Sequence, residues 1–308
     1  MSGSPSVSVV VPTKKRPAEL ARAIGSILRG TALPRELIVV DQSADDLSED
    51  AVGQLFREAP QCVRGAVELV YVHDPQISGA ATARNRGIEA ARGDIWLFID
   101  DDMVAEPEFV EKILEAYRRK PDAAGVSGVV TNYSPPDSIY RWWSVIFARG
   151  PFFDERQPIY WNADRLRNAG PIKVRMLGGG MTGFRASALA QTRFDPKLSG
   201  ASLAEDADLT LALSESGASL YIAPAARIEH RHSSVGRAGD HWLRAHAQAS
   251  HYLYYRHWRK GLRNRICFAW LNFGYAVAAV LGCAKRRSLE PCRSLRMGAR
   301  RAREIAFG

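Results

Sequence analysis

Residues 95–103, Ile-Trp-Leu-Phe-Ile-Asp-Asp-Asp-Met, join five apolar residues to three consecutive carboxylates, Asp100, Asp101 and Asp102. Adjacent carboxylates repel one another, and holding them together is costly unless a cation neutralises them. A hard divalent cation that also bridges a diphosphate suits such a triplet. The bland alternative is a solvated acidic turn. Position favours the first reading. An unbroken apolar run is the pattern of a strand covered on both faces, and open α/β sheets bind ligands beyond the carboxyl ends of their strands.

Other residues of suitable type stand at comparable places. Asp41 ends the apolar run Leu37–Val40. Its carboxylate can accept hydrogen bonds from a nucleobase N–H or a ribose hydroxyl, or simply open the acidic loop from Asp41 to Asp50. Arg84 lies mid-way along a helical segment from Gly79 to Ala91, able to meet a phosphate, to pair with the aspartates, or to face solvent. Glu205, Asp206 and Asp208 fall in the first turn of a helix, where acids commonly serve only the helix dipole. Gly178-Gly179-Gly180 permits close backbone approach to a ligand. His230 and His232 follow a short strand at Ser219 to Ile222.

The positioning elements read as strand and helix in alternation. Val7 to Val11 is a strand closed by Pro12. Leu20, Ile24, Ile27 and Leu28 mark one face of a helix, and Leu37 to Val40 is the next strand, completing a βαβ unit. Val67 to Val72, Ile95 to Ile99, Ala123 to Val130 and Val174 to Leu177 are further strands, and Phe109, Ile113, Leu114 and Tyr117 mark a helix. The glycine fingerprint of ordinary dinucleotide sites is absent after the first strand. The fold class is therefore α/β.

Length and composition agree with a globular chain. It has 308 residues, 46% of them hydrophobic and 24% charged. Its four cysteines form no C-x-x-C pair and have no histidine cluster beside them, which argues against zinc and for a reducing compartment. No secretory signal pattern is visible at the start. The net charge of +9 is unevenly placed. Residues 241–308 carry 14 Lys and Arg against two Asp and Glu, a net of +12. That asymmetry implies a separate anionic partner for the tail.

Taken in order, VSVVVPTKKRP at 7–17, ELIVVDQS at 36–43, GAATARNRGIEAARGDIWLFIDDDM at 79–103, GGGMTGFRASAL at 178–189 and LAEDADLTLAL at 203–213 resemble the inverting nucleotide-sugar glycosyltransferases of family two. Those have the GT-A fold, a Rossmann-like, mixed, mostly parallel sheet flanked by helices. The resemblance spans about residues 7–235. It implies a first nucleotide loop at Pro12, Thr13 and Arg16, a base-reading Asp41, and a donor-side pair Arg84 and Asn85. It makes Asp100 and Asp102 the pair that holds Mg²⁺ or Mn²⁺ and the diphosphate, with Asp101 between them on the donor. Asp206 becomes the general base, and His230, or His232 in its place, meets the metal. The implied partners are a nucleotide-sugar donor and a saccharide or lipid-linked acceptor of cell-surface polysaccharide synthesis. A sugar nucleotidyltransferase would need a glycine-bearing loop where PTKKRP stands. A catalytically inactive sugar-binding scaffold subunit would not need Asp100, Asp102 and Asp206 together.

Two regions remain. Residues 132–171 are rich in aromatics without periodicity and read as a long segment with short helices, either a hydrophobic mini-core or the acceptor side. Within the tail, 241–265 is aromatic and basic, and 266–283 is free of charge. As a helix those 18 residues would span about 27 Å, short of a ~30 Å hydrocarbon core. The division expected is a catalytic domain at 1–240 and a helical, basic, aromatic region at 241–308. The second would be an interfacial anchor on an anionic membrane surface at the cytoplasmic face, or a core helix. Nucleic acid is not expected, since no recognition motif accompanies the charge.

Overall fold

The computed structural model describes residues 5–133, 138–198, 204–231 and 242–308. In chain order the strands are β1 (Val7–Thr13), β2 (Glu36–Asp41), β3 (Glu68–His73), β4 (Ile95–Ile99), β5 (Met103–Ala105), β6 (Ala123–Val130), β7 (Ile172–Val174), β8 (Met181–Arg185) and β9 (Ser219–His230). The helices are α1 (Pro17–Leu28), α2 (Leu47–Glu58), α3 (Gln61–Ala66), α4 (Ala80–Ala90), α5 (Phe109–Arg119), α6 (Ser138–Phe147), α7 (Arg156–Trp161), α8 (Glu205–Glu215), α9 (Trp242–Leu253), α10 (Leu262–Arg286) and α11 (Glu290–Phe307). Among the described residues there are also a 3₁₀ turn at Gly150–Phe152 and a π turn at Tyr254–Trp258.

The strands form one mixed sheet in the order β3-β2-β1-β4-β8-β6-β9-β5, with β7 also on β9. The first four are mutually parallel. Strand β8 enters antiparallel between β4 and β6. Alternation along the buried strands feeds two cores. Val9 and Val11 face α1 and α5 through Leu20, Ile24, Phe109 and Ile113. Val10 faces α4 and α8 through Ala83, Ile88, Leu209 and Leu213. Both faces are thus covered, which is why these strands read as unbroken apolar runs.

One buried charge fixes the register of the first strands. Glu36 is fully buried and accepts hydrogen bonds from the Ser8 hydroxyl (2.5 Å), the Arg92 amide (2.6 Å) and the Arg92 guanidinium (3.0 Å). Burial alone would raise its pKa, but these donors outweigh burial and lower it.

Several elements depart from the sequence expectation. The acidic stretch after Asp41 gives way at Leu47 to α2, whose Val52 is buried. The short strand expected at Ser219 to Ile222 runs on to His230, because β9 pairs with β6, β7 and β5 along its length. The strand expected at Val174 to Leu177 ends at Val174 and begins earlier, at Ile172.

The tail packs on the sheet-bearing part of the chain. Tyr252, Leu253, Tyr254 and Trp258, with Ala302 and Ile305 of α11, share a core with Met176, Leu198, Ala207 and Leu211. The backing of α8 therefore comes from residues beyond 241. Helix α10 is long and apolar enough to cross a membrane by length and composition, with a mean hydropathy of 1.8 over an 18-residue window, of which 22% is buried. It buries Leu271, Gly274, Tyr275 and Ala279 on one stripe.

Candidate active site

The three aspartates follow the end of β4, and each turns to a different partner. Asp100 stays partly exposed and accepts from the Arg84 guanidinium at 2.8 Å. Asp101 is buried. Its Oδ2 accepts from the Thr13 hydroxyl at 2.8 Å and its Oδ1 from Arg16 at 2.9 Å. Burial, aided by Asp100 and Asp102, outweighs Arg16 and Thr13 and pushes the Asp101 carboxyl up to about 6. Asp102 is buried too, 3.6 Å from Arg16 and 3.2 Å from the His230 Nε2.

Strand pairing explains how a histidine 128 positions later reaches the triplet. Met103, next to Asp102, is paired with His230 across β5 and β9. Asn132 holds the same residue from the other side, accepting from its amide and donating to its carbonyl at 2.9 Å each. His232 lies outside the described residues.

Arg84 is the hub of the site. It is buried within α4, with one terminal nitrogen on Asp100 and the other on Asp206 (3.0 Å) and Glu205 (3.3 Å). The solvated-face alternative for Arg84 therefore does not hold. Asp206, at the start of α8, retains 24% side-chain exposure. Desolvation is the largest influence on it. Arg84 and Arg156 pull its pKa down, while Glu205 and Asp100 push it up, and the carboxyl ends at about 7. A carboxylate at a helix N-terminus is ordinarily a weak base, so burial is what gives Asp206 basicity near neutral pH.

Gly179 and Gly180 close the site from below. A β-carbon on Gly179 would overlap the Asp206 carboxylate, and one on Gly180, whose φ is +68°, would overlap that of Asp100. The glycines thus let the backbone approach the protein's own carboxylates. The Gly180 carbonyl accepts from the Asp100 amide at 3.1 Å, tying β8 to the triplet.

Sequence reasoning read Glu205 only as a dipole partner of its helix, left the aromatic segment that holds Tyr160 between a mini-core and the acceptor side, and passed over Arg156. Arg156 of α7 donates to the Leu177 carbonyl and to Asp154 at 2.8 Å each. The Tyr160 hydroxyl is buried, has no hydrogen-bond partner among the described residues, and lies 3.2 Å from the place of a β-carbon on Gly178. Both come from the aromatic segment, where no periodicity marked them.

Two expected donor contacts are committed elsewhere. The Asn85 side chain donates to the Phe194 carbonyl at 2.8 Å and accepts from its amide at 3.0 Å, so it pins the chain beyond β8 rather than facing the cleft. Asp41, fully buried, accepts from the Ser43 amide and hydroxyl and from the Tyr71 hydroxyl. Pro12 is buried within β1 opposite Val40. Asp46, Glu49 and His73 also bring ligand atoms within 4.8 Å of one another, with both carboxylates exposed.

Of the residues expected to hold a metal, Asp102 and His230 meet at 3.2 Å while Asp100 turns to Arg84; carboxylate oxygens with an imidazole would suit Mn²⁺ and tolerate Mg²⁺. The profile of Glycosyl transferase family 2 matches residues 8–193. The chain belongs to that family. It is 33% identical over 159 residues to a glucosyl-dolichyl phosphate glucuronosyltransferase of Haloferax volcanii, covering 50% of this chain and 44% of that one. The chain thus matches less than half the length of that relative. It is 27% identical over 240 residues to succinoglycan biosynthesis protein ExoM of Rhizobium meliloti, covering 77% and 70%. Among solved structures, a mannosyltransferase from Pyrobaculum calidifontis in complex with GDP-Man and Mn²⁺ superposes with a TM-score of 0.58 at 18% identity, covering 99% of this chain and 86% of that one. The family-2 chain therefore has the GT-A fold anticipated from its motifs.

Proposed function

We propose that this family-2 protein is an inverting, metal-dependent glycosyltransferase. It moves a sugar from a nucleotide-diphospho-sugar to a saccharide or lipid-linked acceptor in cell-surface polysaccharide synthesis, at the cytoplasmic face of a membrane. The observation that carries the reading is the arrangement of Asp100 and Asp206 on two nitrogens of one buried guanidinium. One carboxylate belongs to the candidate metal set, and the other is a base poised near neutral pH.

In this reading Asp206 takes the proton of the acceptor hydroxyl as its oxygen bonds to the anomeric carbon. The bond from that carbon to the diphosphate breaks with its electron pair on the leaving group. Attack from the opposite face inverts the centre. A divalent cation held by Asp100, Asp102 and His230 would stabilise the charge gathering on the diphosphate. Arg84 keeps Asp206 and Asp100 apart and oriented. Thr13 and Arg16 hold the first loop against Asp101 beside the donor. The similarity to a glucuronosyltransferase named for a dolichyl phosphate and to a succinoglycan biosynthesis protein supports the acceptor class.

Calorimetry with a panel of nucleoside diphosphates, with Mn²⁺ and with chelator, tests the donor side. Binding should appear with the metal and fade without it. Equal affinity in both conditions would remove the metal assignment.

A further inference from the structure

Helices α6 and α10 pack side by side. The Trp143 Nε1 donates to the Gly274 carbonyl and the Trp270 Nε1 to the Ile146 carbonyl, at 2.9 Å each. The Phe147 ring lies 5.3 Å from that of Trp270 and 6.1 Å from that of Phe273. These contacts leave much of each helix uncovered, Trp270 and Phe273 themselves staying 43% and 54% exposed. On the outer face of α6, Ile139 is 81% exposed and Trp142 69%, with Val145 and Ile146 exposed beside them. On α10, Leu262, Ile266, Phe273 and Val280 form an exposed stripe at helical spacing along the helix, opposite Leu271, Gly274 and Ala279. Exposed Trp270 donates to the Ile146 backbone and stacks on Phe273 at 5.5 Å, which brings the two exposed sets side by side. Monomeric soluble proteins rarely expose so many large apolar side chains together.

Charge identifies the occupant. No acidic residue lies on either helix. Exposed Arg263 and Arg265 stand at one end of α10 and Lys285 and Arg286 at the other, with 18 uncharged residues from Ile266 to Cys283 between them. An apolar stripe ending in cations matches the layers of an anionic bilayer surface, with acyl chains under the stripe and phosphates under the arginines. A protein partner would need acidic groups at both ends of an apolar face about 37 Å long.

We infer that α6 and α10 together form a bilayer-docking platform, and that the acceptor of this enzyme is carried on a lipid. The second statement rests on the glycosyltransferase reading above. Helix α6 starts five residues after Tyr133, whose ring packs on Tyr160 at 5.9 Å, and five residues of chain reach at most about 18 Å. Tyr160 lies beside the Gly178 turn that precedes the glycine at Asp206. Docking through α6 therefore sets the acceptor side of the cleft close to the headgroups.

Flotation tests this with full-length protein and vesicles of phosphatidylcholine, with or without phosphatidylglycerol. Wild type should float with the anionic vesicles and poorly with the neutral ones. Trp142→Glu with Ile146→Glu, and separately Ile266→Glu with Phe273→Glu, should each lower vesicle affinity at least about tenfold. Both pairs replace exposed side chains, and unchanged melting together with unchanged nucleoside diphosphate binding in calorimetry shows that the fold and donor site persist. Wild type that stays at the bottom of the gradient overturns the platform, and an α6 pair that floats like wild type removes α6 from it. A wild-type dimer in solution that the α6 pair turns into monomer would assign the face to a second copy instead. For the acceptor, the α6 pair should slow transfer to vesicle-embedded lipid-linked saccharide while leaving slow diphosphate release in solution unchanged. Equal transfer by wild type and variant to the embedded acceptor overturns the lipid assignment. Loss of metal-dependent donor binding by wild type would instead strike the glycosyltransferase reading and leave the flotation result standing.

Discussion

The α-carbon of Gly179 sits against the Asp206 carboxylate so closely that any β-carbon there would overlap it. Gly179→Ala should therefore displace Asp206 while the fold persists. Misplacement of a reacting group by about 1 Å can cost 10²-fold, so transfer should fall by about that factor with donor affinity nearly unchanged. Initial rates beside donor calorimetry check this. A variant with full activity would mean that Asp206 has room to move without consequence.

Asp206 must be ionised to take a proton, and burial raises its pKa to about 7. The sign follows directly. Below about pH 7 the group is increasingly protonated, so the transfer rate should fall about tenfold per pH unit on the acid side. An acid limb centred near 4, the ordinary carboxylate value, would separate Asp206 from the proton transfer. Asp206→Asn should lose about 10²–10⁴-fold in rate, with the acid limb gone, and still bind donor.

His257 ties the tail to the helix that bears the base. Its Nε2 lies 2.9 Å from Asp208 and its Nδ1 3.0 Å from Glu215, both on α8. Two carboxylates on one ring require the imidazolium. Burial lowers its pKa, but the two acids outweigh burial and raise it. A raised folded-state pKa gives stability that is complete below the unfolded value near 6.5 and is lost as pH rises through the folded value. His257→Ala should therefore cost about 3 kcal/mol at pH 6 and progressively less in alkaline solution. Urea melts across that range measure it, and a cost independent of pH would refute the ion pair.

Removing residues 241–308 should not leave a soluble catalytic unit. The cut strips Tyr252, Trp258, Ala302 and Ile305 from Met176, Ala207 and Leu211. A fully buried aromatic or leucine side chain contributes about 1.5–3 kcal/mol, so losing several is comparable to the whole usual stability of a domain, about 5–15 kcal/mol. Expression and circular dichroism of residues 1–240 test this. A folded, donor-binding fragment would show that the tail only covers the sheet.

The sequence by itself determined the parts whose signal is local. The run Ile95–Ile99 announced a strand that ends at the triplet, because burial on both faces leaves an unbroken apolar pattern and carboxylates are polar wherever they stand. The βαβ start, α4, α5 and the first turn of α8 were legible for the same reason, since each carries its own periodicity. Helix α2 was hidden under Asp45, Asp46, Glu49 and Asp50, whose charges mask a single buried Val52. What only the tertiary structure decided is non-local. Arg84 meets Asp206 and Glu205 more than 120 positions away, and His230 reaches Asp102 through the β5–β9 pairing. Asn85 bonds both the carbonyl and the amide of Phe194, a pairing across 109 positions. The glycines at 179 and 180 announced close approach, but not that it was to Asp206 and Asp100. The tail's composition told of cations and rings and could not tell that its inner face backs α8. Pairing and burial between distant segments are set by the whole chain's packing. They also set the protonation of Asp206, which desolvation raises against the helix dipole that its sequence position alone predicts.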